Sequence, residues 1–337
     1  MADIKLSFTR ANIVSTACHI LDLNPDPVPH YLVLRDLLRC SPTDTALLEA
    51  EQNLSASKWI EELDSTQHSD GTWGRFHTQD TRVKTLFPTT EFAIRRALAL
   101  GLDHRSSILQ KASGFIQAHL QGTATWSDWP EKHDDPRVFP SNIRSISAAM
   151  LALIDRHHPL LDSIWLRWNE IVRAAFASGT YDREAELARH QSLTSIPSRR
   201  LIPFHAYYPL IILSATQHQL PQDLEHRLLE YLLHRPEGIY YVCNQSLDTF
   251  PRLDDRKILP WLHGQEILAR FEGWKAFAPD ILNWLWSQRN ETGLWDMGKS
   301  VDHSIAFPLS ESWRRTSNRM IDCSVKILCL LQRYFES

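Results

Sequence analysis

Five short segments of one pattern recur along this chain at a nearly constant interval, and that recurrence limits what it can fold into. They are Gly71-Thr72-Trp73, Ala124-Thr125-Trp126, Gly179-Thr180-Tyr181, Gly238-Ile239-Tyr240 and Gly293-Leu294-Trp295, with the aromatic residue returning after 53, 55, 59 and 55 residues. A fixed period of this kind marks a supersecondary unit that buries its apolar face against its neighbours. Each unit reads alike. An amphipathic helix precedes the turn, over 58–63, 108–120, 164–176, 224–233 and 277–286. Glycine ends it because a left-handed residue after a helix costs least without a Cβ. A loop follows, then a more apolar helix announced by Pro88-Thr89-Thr90-Glu91, Pro140, Pro203, Pro260 or the 310–317 region, with threonine as the N-cap of the first of these. An early helix opens at Asp26-Pro27-Val28-Pro29, after a first one near 11–23.

Composition agrees with a helical chain. Only 11 glycines stand against 18 prolines, which suits helices started and stopped by proline better than glycine-rich β turns. The second helix of a pair, as over 147–154 or 209–214, is apolar around more of its circumference, as buried helices are. About twelve helices in six hairpins, six inside and six outside, give the expected fold class: all-α, an (α/α)6 toroid that takes residues 1–337 as one domain.

The net charge of −4 points neither to nucleic acid nor to an anionic membrane. The five cysteines are odd in number and form no C-x-x-C pair, so reduced thiols and a cytoplasmic location are expected. The first residues, MADIKLSFTR, lack the apolar core of a signal peptide, and no run approaches the length of a membrane span.

At the turns the sequence resembles a known family. Gln67-His68-Ser69-Asp70-Gly71-Thr72-Trp73 matches the QW motif of squalene–hopene and oxidosqualene cyclases, and Lys58-Trp59-Ile60 resembles its lead. Lys111-Ala112 to Phe115-Ile116 with Gln121 and Trp126 is a looser copy, and Lys275-Ala276 to Trp284-Leu285 with Gln288, Gly293 and Trp295 is a third. The Tyr181 and Tyr240 turns lack the glutamine. The same repeat runs through protein prenyltransferase β subunits. The resemblance implies the toroid with an interior cavity, and a scaffold role for Trp73, Trp126 and Trp295. Two family signatures are missing. No D-x-D-D motif supplies the acid of the cyclases. Asp322 and Cys323 are adjacent where the prenyltransferases space their zinc ligands two apart, and neighbours on a helix point about 100° apart, so no metal or other cofactor is expected.

The loops into the inner helices gather at one rim and carry many arginines, among them Arg137, Arg199, Arg200, Arg252, Arg314 and Arg319. Such a rim suits a diphosphate on a hydrocarbon tail; the acids Asp134, Asp135, Asp254 and Asp255 in the same loops fit a solvated, balanced rim equally. Candidate acids are Asp254, Asp255 and the inner-helix residues Glu91, Glu266 and Asp322, each also readable as a paired or capping group. His205 and His263 are candidates for acid–base work. Tyr207, Tyr208, Trp261 and Trp313 offer faces that attract a cation, and Arg314 and Arg319 offer charge. Gly264 costs stability within a helix and makes room for a close neighbour. By resemblance, the expected function is a terpene-cyclase-like enzyme acting on an isoprenoid or other hydrophobic small molecule, with peripheral membrane contact compatible with it. A non-catalytic toroid for lipid or peptide, or a carbohydrate-active (α/α)6 barrel, stays open.

Overall fold

The computed structural model describes residues 5–80, 82, 84–130, 135–197, 199–215, 218–301 and 304–336. Among these the chain forms fourteen α-helices and no strand. In order they are α1 Arg10–Asp22, α2 Pro27–Leu32, α3 Thr45–Ser55, α4 Lys58–Thr66, α5 Thr90–Ala99, α6 Ser107–Leu120, α7 Phe139–Ile154, α8 Asp162–Ala175, α9 Arg183–Thr194, α10 Tyr207–Leu213, α11 Gln222–His234, α12 Ile258–Leu268, α13 Ala278–Ser287 and α14 Thr316–Arg333. A π-helical turn, Val33–Leu37, continues α2. No helix of the described residues is long and apolar enough to cross a membrane.

The all-helical expectation holds, and the helices flanking the turns start and stop within a few residues of where the pattern put them. The Thr89 hydroxyl caps α5 by accepting the N–H of Phe92 at 3.1 Å. Two helices, α3 and α9, occupy stretches read as connections. Both begin at aspartate caps: Asp44 takes the Ala46 N–H at 2.8 Å, and Asp182 takes those of Glu184 and Ala185 at 2.9 and 3.1 Å.

The chain divides into two compact units. One comprises Met1–Glu62, Ala99–Gly101 and Leu247–Ser337; the other comprises Leu63–Leu98 and Leu102–Ser246. In the first, α14 packs on α1 and α2, and α2 packs on α3. In the second, α7 packs on α6 and α10, and α8 packs on α9 and α10. Every residue of α10 is buried, as are all but one of the residues from Ser145 to Ile154 of α7. These are the helices whose sequences are apolar nearly all round.

Two of the three tryptophan turns are built alike. The Trp73 indole N–H donates to the carbonyl of Leu63 at 3.0 Å, and the Trp295 indole donates to that of Leu285 at 2.7 Å, ten residues back in each case. The backbone repeats too: His68 N–H to Thr72 carbonyl and Asn290 N–H to Leu294 carbonyl are both 2.8 Å. Gln67 donates to the carbonyls of Gly71 and Ile108 at 3.0 and 2.9 Å, tying the turn to the start of α6. Gly71 has φ +88°, and a Cβ there would lie 2.4 Å from the carbonyl oxygen of Lys111, so the position takes glycine alone. Trp126 donates to Ser147 Oγ at 3.0 Å and stacks on Phe76 with centroids 4.2 Å apart.

Candidate functional site

The two tyrosine turns depart from this plan, and both line one cleft. Its volume is about 740 Å³ and its walls come from the second unit alone. Tyr181 stands at the start of α9, and its hydroxyl donates to Glu186 Oε2 at 2.8 Å. Glu186 Oε1 accepts the N–H of Phe204 at 2.7 Å. The Glu186 side chain is buried, and that burial raises its pKa above the ordinary 4.5, against the pull of the Phe204 and Tyr181 hydrogen bonds and of nearby Arg183 and Arg235. Burial and the adjacent carboxylate push the Tyr181 hydroxyl up, so it remains a donor.

His205, one of the sequence candidates, lines the same cleft. It is 8% exposed, and its Nδ1 has no hydrogen-bond partner among the described residues. Burial, with Arg235 and Arg183 nearby, drives its pKa down to about 3. His190, also on the wall, is held at about 4 by burial and by Arg167. The cleft therefore holds a carboxyl pushed toward its protonated form beside imidazoles kept neutral, a pairing suited to proton transfer. Tyr181, Tyr231 and His205 form an aromatic floor, with the Tyr181 and Tyr231 rings 4.5 Å apart, and the buried Phe204 ring packs behind them. Arg183, Arg199, Arg200 and Arg235 face this floor, with the carboxylates Asp135 and Glu237. Asp135 is paired with Arg137 at 2.8 Å and Glu237 with Arg235 at 3.4 Å.

Behind the cleft lies a second polar group. Glu91, a sequence candidate at the start of α5, accepts the Tyr208 hydroxyl at 3.0 and 3.2 Å and contacts His77 Nδ1 at 2.8 Å. Arg95 lies 3.4 Å from the same carboxylate and 4.6 Å above the Tyr207 ring. The loop that carries His77 is pinned by Asp128, whose carboxylate accepts the backbone N–H groups of Phe76, His77 and Thr78 at 2.7, 2.8 and 2.7 Å. Tyr208 touches the cleft through Tyr241, with rings 5.6 Å apart.

The remaining sequence candidates belong to the first unit, and none of them lines that cleft. Asp322 is wholly buried, and burial raises its pKa to about 6. Four donors saturate it: the N–H groups of Leu309 and Ser310 at 2.8 Å each, the Ser310 hydroxyl at 2.6 Å and the Trp313 indole at 2.6 Å. Trp313 is thus a strut. Trp261 is fully buried, and its indole donates to the Leu247 carbonyl at 3.0 Å; Gln265 donates to the same oxygen at 2.8 Å. Gly264 makes that approach possible, since a Cβ would come within 2.5 Å of Leu247. His263 lies 3.5 Å from Glu266, which is bound to Lys326 at 2.6 Å. Asp254 is exposed and paired with Arg252 at 2.9 Å, and Asp255 caps the turn into α12 through the Lys257 N–H at 2.8 Å. Arg319 is bidentate to Asp296 at 2.7 Å, and Arg314 is exposed. Asp134 lies outside the described residues. Among the described residues no three His, Cys, Asp or Glu side chains converge as a metal centre requires, and burial pushes the Cys323 thiol up to about 12.

Fold and site together define an all-helical protein with a cleft lined by a buried carboxyl and two neutral imidazoles. Searches against protein-family models, curated proteins and solved structures found no match for this chain. Glu186, His190, Tyr181 and Tyr231 were not among the sequence candidates. The available signal was the tyrosine turns, which lack both the tryptophan and the glutamine of the staples.

Proposed function

We propose that the chain is a terpene-cyclase-like enzyme, an (α/α)6 toroid that cyclises or rearranges an isoprenoid in the cleft of the second unit. The observation that carries this reading is Glu186: a buried carboxyl with a raised pKa on an aromatic-walled cleft. It replaces the missing D-x-D-D acid with a group of the same chemistry. Glu186 gives its proton to an alkene carbon of the substrate. The Tyr181 hydroxyl, the Phe204 N–H and the field of Arg183 and Arg235 partly offset the cost of burying the carboxylate left behind. The cation so formed faces the lining rings of Tyr181 and Tyr231. Neutral His205 takes a proton from the product cation and, with its pKa held at about 3, passes it to solvent, from which Glu186 is reprotonated, so the reaction returns an isomer without redox change. The volume lies within the roughly 300–1,000 Å³ usual for small-molecule sites, and the arginines suit an anionic head group. A two-carboxylate glycosidase is disfavoured, because Asp135 and Glu237 are engaged by arginines.

Incubation of the full chain with geranyl, farnesyl and geranylgeranyl diphosphate and with squalene, followed by mass spectrometry, tests the reading. A product of unchanged mass that disappears with Glu186→Gln is the expected result. No conversion of any of the four, or conversion indifferent to Glu186→Gln, contradicts it.

A further inference from the structure

Tyr241 sits in a backbone conformation that tyrosine disfavours. Among the described non-glycine residues, φ is positive only at Asn24, Arg39, Ser195 and Tyr241, where it is +69°. Asparagine takes this region readily; a bulky aromatic residue there is an outlier that persists only where its surroundings impose it. The surroundings here do. Tyr240 is bridged to the start of α10, with its N–H on the His205 carbonyl at 3.2 Å and its carbonyl on the Tyr207 N–H at 3.0 Å. On the other side, the N–H groups of Val242 and Cys243 both bond the Ile239 carbonyl at 3.0 Å. The turn is closed at both ends with Tyr241 between them.

Core packing does not account for the ring. Tyr240 and Tyr241 are 50% and 54% exposed, and both line the cleft. Their rings lie 4.2 Å apart, and Tyr241 also meets Tyr208 at 5.6 Å. Two adjoining aromatic faces are thus held rigidly at the cleft wall, near Arg199, Arg200 and Arg235. We propose that Tyr241 is a ligand-contact residue, a platform on which a planar or unsaturated part of an anionic ligand stacks. The proposal rests on the cleft being the reaction site and adds to that reading a residue that selects flat, unsaturated ligands over saturated ones.

The test separates stability from binding at one position. Tyr241→Gly and Tyr241→Asn remove the ring and accept the positive φ, and Tyr241→Phe keeps the ring. Thermal unfolding is measured with binding of two probes, farnesyl diphosphate and the aromatic anion 8-anilinonaphthalene-1-sulfonate, whose naphthalene rings are flat. The glycine and asparagine variants are expected to unfold at the same temperature or up to about 2 °C higher, and to bind about tenfold more weakly. Tyr241→Phe is expected to bind within about twofold of the original chain. A lower unfolding temperature in the glycine and asparagine variants would make Tyr241 a packing residue and overturn the proposal. Unchanged binding in those variants, or failure of both probes to bind the original chain, would overturn it equally. Sulfonate binding that depends on Tyr241, without farnesyl diphosphate binding, leaves the platform standing and removes the isoprenoid reading.

Discussion

Gly71-Thr72-Trp73 and Gly179-Thr180-Tyr181 differ in one residue of three, and both lie in the second unit. At the first, the indole is 4% exposed and its N–H closes on a carbonyl of the preceding helix. At the second, the phenol reaches forward to a buried carboxyl on a cleft wall. An indole has one donor and no acceptor, so a single carbonyl exhausts its polar capacity and the ring becomes a staple. A phenol hydroxyl can donate and accept, which lets it tune a neighbouring acid. The repeat thus makes scaffold at these tryptophan turns and lines the cleft where the tryptophan is replaced by tyrosine.

The largest expected effect falls on the staple. Trp73→Ala leaves a cavity in the core and should cost about 4 kcal/mol in urea unfolding; a cost below about 1 kcal/mol would show that the tryptophan turn holds nothing. Next comes the acid. Glu186→Gln should lower isoprenoid turnover by about 100-fold, equivalent to about 2.7 kcal/mol, while unfolding free energy changes by under about 1 kcal/mol. Equal losses of turnover and stability would place Glu186 with the staples.

The cleft histidines make stability depend on pH. His205 and His190 titrate near 3 and near 4 in the folded chain, against 6.5 when exposed. Between those values the unfolded chain binds more protons, so stability rises with pH and is lost as pH falls from about 6.5 toward 3. Each histidine contributes a slope of up to about 1.4 kcal/mol per pH unit. Glu186, with its raised pKa, opposes this above 4.5, because there the folded chain holds the extra proton. Urea unfolding across this range should flatten when both histidines are replaced by glutamine; an unchanged slope would mean that they are not buried neutral. The smallest effect is at the phenol itself. Tyr181→Phe removes one hydrogen bond and should cost about 1 kcal/mol of stability.

The sequence showed the helices because their signals are local: proline and threonine at the start of α5, glycine at the turns, apolar periodicity in α7. It did not show α9 as a helix, although Asp182 with Glu184 and Glu186 in the first turn is a start signal. Read as a loop after the Tyr181 turn, the segment hid the one buried acid among the three that line the cleft. Its mixed charges look solvated, and only packing of α9 on α8 and the Phe204 N–H bury Glu186. The opposite held for Asp322. An acid on an apolar helix invites a catalytic reading, but its donors Leu309, Ser310 and Trp313 come from an irregular segment just before α14, and their convergence depends on tertiary structure. Both acids have pKa values raised by burial. What separates them is that one is saturated within the core and the other opens on a cleft beside neutral histidines.

The central claim is that Glu186 is an acid tuned by the broken repeat, and its titration tests that most directly. Carbon-13 NMR of labelled glutamate, assigned by loss of the signal in Glu186→Gln, should show Glu186 titrating above the ordinary 4.5, and higher still in Tyr181→Phe, which lacks the hydroxyl that favours the carboxylate. A Glu186 that titrates at or below 4.5, or that ignores the loss of the Tyr181 hydroxyl, would contradict the claim.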